Sequence, residues 1–182
     1  WAFQLGTAYA WRNLDSDRAV AFTGFADALS ASYQSNIWQI FGDASYRFNL
    51  SSVGVEPFFN LAYVSVATDS FTEAGGAAAL RVQQDTSGVT VMTLGGRVRG
   101  NISATADIFA SAGWRHAGGD TDTFATMQLV GGGVPFTIAG LPIAQDAAAL
   151  ELGVGFKVGT SGRFDLGYSV QLSDVRPLPE DG

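Results

Sequence analysis

The sequence predicts an all-β fold, an antiparallel up-and-down β-barrel that crosses a membrane. Three observations carry that prediction. Large apolar residues recur at every second position along most of the chain, the period of a strand whose side chains alternate between two faces. The intervening positions hold charges, glycine and small residues. No uninterrupted apolar run approaches the length of a membrane-spanning helix, so a crossing of lipid has to be made by strands.

Val55 to Ala67 shows the pattern most clearly, with Pro57, Phe59, Leu61 and Tyr63 on one face and Glu56, Phe58, Asn60 and Ala62 on the other. Taken in order, a first strand is expected over about Trp1 to Trp11, followed by a polar loop from Arg12 to Asp27. The next extends from about Ala28 to Phe48. Leu29, Ala31 and Tyr33 start its apolar face, but the phase changes beyond Ser35, which reads as one long strand with an irregularity in preference to two strands turned at Gln34-Ser35-Asn36. Asn49 to Gly54 is a short turn before the Val55 strand, and Thr68 to Gly88 is a long acidic and glycine-containing segment. Within that segment, Ala78 to Gln83 is a candidate extension of the barrel wall.

Strands over about Val89 to Arg99 and Ala104 to His116 flank a short turn from Gly100 to Ser103. Ala117 to Asp146 is the longest excursion. There Thr123 to Val130 and Phe136 to Ala139, around Gly131-Gly132-Gly133, read as a β-hairpin. Strands over about Ala147 to Val158 and Arg163 to Leu172 flank the turn Gly159-Thr160-Ser161-Gly162. Pro177 and Pro179 bar the tail from a ladder. The barrel domain is therefore placed at residues 1–174 and a polar tail or loop at 175–182.

Short turns and long loops thus alternate at opposite ends, as periplasmic turns and extracellular loops do in outer-membrane barrels. Aromatic residues near strand ends, among them Trp1, Trp11, Trp38, Tyr46, Phe48, Tyr63, Trp114 and Tyr168, fit interface girdles. About seven crossings are counted. An even number is the rule, and an open edge in lipid would leave backbone groups unpaired, so strands are expected to be missing.

Composition narrows the function. Hydrophobic residues make up 47% and charged residues 15%, low for a water-facing surface. Without cysteine there are no disulfides or thiolate metal sites. A net charge of −7 argues against nucleic acid as a partner.

Several phrases resemble the translocator β-domain of autotransporters, the type V secretion proteins, specifically its C-terminal part. They are Glu56-Pro-Phe-Phe-Asn-Leu-Ala-Tyr63, Phe71-Thr-Glu-Ala-Gly-Gly-Ala-Ala-Ala-Leu80, Thr93-Leu-Gly-Gly-Arg97, Gly113-Trp-Arg-His-Ala-Gly-Gly-Asp120 and Pro135-Phe-Thr-Ile-Ala-Gly-Leu-Pro-Ile-Ala144. The resemblance covers nearly the whole chain. It implies a barrel of about twelve strands, of which this chain holds an incomplete portion, with a helix plugging the lumen. It also implies outer-membrane lipid, the chain's own passenger polypeptide and the barrel-assembly machinery as partners. The work implied is export of that N-terminal passenger to the cell surface, in the outer membrane of a Gram-negative bacterium.

Asp43, Arg47, Glu56, Asn60, Arg97, Arg99, Asp107, Arg115, Glu151, Lys157 and Asp165 fall on the inferred lumen face. They read first as a solvated lining. The sharper expectation is that Glu56, Arg97, Arg115 and Glu151 touch the plug or the passing polypeptide. Thr123, Phe124, Phe136, Gly140 and Pro142 mark the extracellular hairpin, for which the resemblance implies assistance in export or shielding of the barrel mouth, the alternative being a tolerated surface loop.

His116 is the only histidine, and no nucleophile motif accompanies it, so no catalytic residue is expected. The glycine run has no Lys-Ser/Thr for phosphate. The loop acids match no ordered metal-ligand spacing, and neither metal nor cofactor is expected. The alternatives are a small outer-membrane barrel acting through structural or adhesive loops, and a soluble β-sandwich.

Overall fold

The computed structural model describes residues 1–159 and 162–173, which hold twelve strands and no helix. In chain order they are β1 (Ala2–Phe22), β2 (Phe25–Ser45), β3 (Phe48–Leu50), β4 (Val53–Thr68), β5 (Phe71–Thr72), β6 (Leu80–Val82), β7 (Asp85–Asn101), β8 (Ala106–Gly119), β9 (Phe124–Leu129), β10 (Phe136–Ala139), β11 (Asp146–Val158) and β12 (Gly162–Ser173). The long strands form one antiparallel sheet in the order β1-β2-β4-β7-β8-β11-β12, with β3 also paired to β4. Each wall strand lies beside its predecessor, the meander expected of an up-and-down wall. Among the described residues, β1 and β12 are the outer strands of that order.

Register keeps the two faces separate. Glu56 faces Arg97 across β4 and β7, and Ser111 faces Glu151 across β8 and β11, all on one side of the sheet. We call this the inner face. The other side presents Leu5 at 82% exposed and Leu152 at 57%, and among the described residues no second layer of protein lies over them. A soluble sandwich would cover such a face with another sheet; here lipid is the solvent that suits it.

The expected polar loop from Arg12 to Asp27 is a strand instead. β1 continues to Phe22, a tight turn at Thr23-Gly24 reverses the chain, and β2 pairs with β1 from Phe22↔Phe25 to Ala2↔Ser45. Gly24 sits at φ 83°, a left-handed conformation that glycine adopts without a Cβ clash. β2 carries no irregularity near Ser35. Its break comes later, at Tyr46 and Arg47, after which β3 resumes pairing with β4. The segment 78–83 does not extend the wall, because β6 belongs to a second sheet, β10-β9-β6-β5.

The phase change has a different cause. Odd residues of β2 stay on the inner face along the strand, from Leu29 and Tyr33 to Gln39 and Asp43. What changes is the surroundings. Toward the short-turn end, the outer face is apolar (Trp38, Ile40), whereas beyond Asn36 it is Gln34, Ser32 and Ser30. β1 switches at the same level, from Tyr9 and Trp11 to Asn13, Asp15 and Asp17.

Trp1 to Trp11 covers about ten steps, hence about 34 Å of strand at about 3.4 Å per residue. A tilt of about 40° leaves about 26 Å along the membrane normal, close to the apolar band of a membrane barrel. Above that band the β1–β2 hairpin stands in water on its outer side. Trp38 therefore marks the lipid boundary from within a strand, not from a strand end.

The small second sheet grows from the two long connections at this end and packs on the inner side of the β1–β2 hairpin. Tyr33 stacks on Phe71 with ring centroids 4.2 Å apart, and Leu29, on the same face of β2, is buried. Residues 160 and 161 of the last turn, and the expected tail at 175–182, lie outside the described residues.

Candidate functional site

The inner face is a ladder of charged and aromatic side chains, and the strand register builds it. Arg97 on β7 donates to Glu56 on β4 at 3.0 Å and lies 3.8 Å from Asp43 on β2, so one guanidinium ties three strands together. Its plane lies over the Phe58 ring, 4.0 Å from the centroid. Toward the short-turn end, Arg99 lies 3.2 Å and Arg163 3.0 Å from the carboxylate of Asp107, which is 5% exposed. Arg163 also holds Asp165. A buried carboxylate needs such partners, because an unpaired charge out of water is costly.

The remaining expected lumen residues join the same face. Ser111 donates to Glu151 at 3.2 Å, and the Asn60 amide donates to the Gly42 carbonyl at 3.1 Å. Arg115 donates to the neutral Gln171 at 3.2 Å and, among the described residues, has no carboxylate within ion-pair distance. The Lys157 ammonium reaches the Ala104 carbonyl at 3.5 Å. Arg47, Glu56, Arg97, Arg99 and Glu151 line one recess of about 570 Å³, with Arg47 lying beside Gly54. Among the described residues, no lysine or arginine sits on the outer face of the wall.

The long-loop rim holds the second set of residues. β9 and β10 pair through Phe136↔Met127 to Ala139↔Phe124, and the Gly140 N–H donates to the Thr123 carbonyl at 2.8 Å. Thr123 and Pro142 flank the paired strands, and Phe124 and Phe136 lie within them. Sequence reading missed the groups that dock the second sheet, Arg18, Asp27 and Glu73. The Arg18 guanidinium donates from Nε to Glu73 at 3.0 Å and from Nη2 to the Ala78 carbonyl at 2.9 Å. Glu73 also accepts from the Leu80 N–H, and Asp27 accepts from the Ala78 N–H, each at 2.8 Å. Both contacts to Arg18 lie above the lipid band. There the hydrogen bond from Arg18 holds the Glu73 carboxyl below the usual carboxylate range, against a smaller opposing effect of burial.

His116 lies on the outer face at the rim, with Nδ1 2.9 Å from Asp146, which also accepts from Trp114 Nε1 at 3.0 Å. This clasp joins β8 to the start of β11. Among the described residues, no group of His, Cys, Asp or Glu side chains could hold a metal ion.

A curled antiparallel wall with an apolar outer band at the level of the lipid, an ionic inner face and loops extended at one end defines an outer-membrane β-barrel. The family model described as "Autotransporter beta-domain" matches residues 1–169, and the chain belongs to that family. Two extracellular serine proteases of Serratia marcescens are 30% and 32% identical to it over 177 residues. The match covers 94% of this chain but only 17% of either relative, so the chain spans about a sixth of the relatives' length. The family places the chain in the outer membrane of Gram-negative bacteria, as a translocator domain.

Proposed function

We propose that residues 1–174 form part of one barrel domain that exports its own N-terminal passenger to the cell surface and performs no catalysis itself. The observation that carries this reading is the sorting of charge: the wall is apolar toward lipid, while Asp43, Glu56, Arg97, Arg115 and Glu151 face inward. A polypeptide crossing such a passage exchanges water for hydrated side chains at little cost, since exposed ion pairs contribute only about 0–1 kcal/mol each. Glu56, Arg97, Arg115 and Glu151 act as its contacts, or as contacts of a plugging helix. The β9–β10 hairpin stands at the exit. Outer-membrane lipid and the barrel-assembly machinery complete the set of partners, with no part for nucleic acid, metal or cofactor.

Arg115→Glu is the sharpest test. The substitution breaks no ion pair among the described residues, so assembly of the barrel is expected to stay at the wild-type level. Surface exposure of the passenger, followed by protease accessibility on intact cells, should fall several-fold. Unchanged assembly with unchanged export would contradict the proposed contact.

A further inference from the structure

We propose that the second sheet is a two-part lid, its β5–β6 half fixed to the β1–β2 hairpin and its β9–β10 half carried by the connection between β8 and β11, which opens by parting β6 from β9. This rests on the export reading above. The two seams of the lid differ in kind. Toward β2, Ser30 and Ala74 exchange backbone hydrogen bonds at 2.9 and 2.8 Å, and Asp69 donates to the Gln34 carbonyl at 3.0 Å. Side chains then reinforce that seam. The Arg18 fork on Glu73 also reaches the Ala78 carbonyl, Asp27 caps the Ala78 N–H, and Tyr33 stacks on Phe71. Bidentate charge-assisted bonds add directionality as well as strength.

Between β6 and β9, the connection is a three-residue ladder, Leu80↔Leu129 to Val82↔Met127, extended by one backbone bond at each end. No ion pair or ring stack crosses it among the described residues. Beyond it lies β10, which among the described residues pairs on one side only, with Val134 at 87% and Leu141 at 91% exposed around it. The β5–β6 half is thus fixed to the wall by side chains as well as backbone, and the β9–β10 half is joined to the β5–β6 half by that short ladder without an ion pair or ring stack among the described residues. A chain leaving the barrel passes between the two halves.

Paired cysteines at the two seams distinguish them, in the full-length polypeptide with its passenger. S30C/A74C locks the wall seam, and L80C/L129C locks the seam expected to part. Export is followed by surface protease accessibility with and without dithiothreitol, and barrel assembly is scored separately. Oxidised S30C/A74C should export like the wild type. Oxidised L80C/L129C should export several-fold more slowly and recover on reduction. Impaired export from S30C/A74C that reduction relieves, or normal export from fully oxidised L80C/L129C, would overturn the lid. Failure of the wild-type chain to export any passenger would instead remove the function on which the lid rests.

Discussion

Phe41 faces Gly6 across β1 and β2, and its ring occupies the space that a Cβ on residue 6 would need. The same pairing recurs on the inner face at Phe58 and Gly95 and at Phe109 and Gly153. Each ring covers backbone that would otherwise face the lumen. A glycine there contributes space, not turn geometry. Gly6→Val should therefore destabilise the folded barrel by about 1–3 kcal/mol through overpacking, although valine favours strands. Urea unfolding in detergent micelles would measure it, and Phe41→Ala in the same chain should recover part of the loss. By contrast, Arg97→Gln should change stability little, since Arg97 is half-exposed and such pairs contribute about 0–1 kcal/mol.

At the scale of the strand, the identity of the solvent changes along β1 and β2 while their geometry does not. Leu61 lies on the outer face in the middle of β4, and Asp15 on the outer face of β1 above Trp11. Leu61→Arg should cost about 2–4 kcal/mol, and Asp15→Lys about 0–1 kcal/mol, because the penalty depends on depth in the bilayer. Equal costs from unfolding measurements in lipid would remove the boundary. The lid makes a pH prediction. Glu73 has a lowered folded value, below its usual 4.5. Its contribution to docking is thus fully present above about pH 4.5 and is lost as pH falls through the lowered value. The Leu80 amide, which donates to Glu73, reports this by NMR. Its titration midpoint should lie below 4.5, and Arg18→Gln should move it upward.

These strands also show what could be read in advance. Alternation exposed the wall wherever one side meets lipid, and it separated Glu56, Arg97 and Glu151 from Phe59, Leu94 and Leu152. It fell silent from Arg12 to Asp27, because outside the bilayer both faces of a strand tolerate polar residues. It inverted at Leu29 and Tyr33, because the lid makes the inner side apolar there. The Arg18–Glu73 pair, 55 residues apart, leaves no local pattern at all.

The molecule as a whole presents two environments on the two sides of one sheet. Spin labels placed singly from residue 3 to residue 17 of β1 would test this most directly, in the full-length protein reconstituted into lipid. Accessibility to oxygen should exceed accessibility to a water-soluble nickel chelate at residues 3, 5, 7, 9 and 11, and the reverse should hold at 4, 6, 8 and 10. From residue 13 onward the outer positions should become accessible to the chelate. Chelate access at both parities between 3 and 11, or oxygen preference continuing through Asp15 and Asp17, would contradict the account.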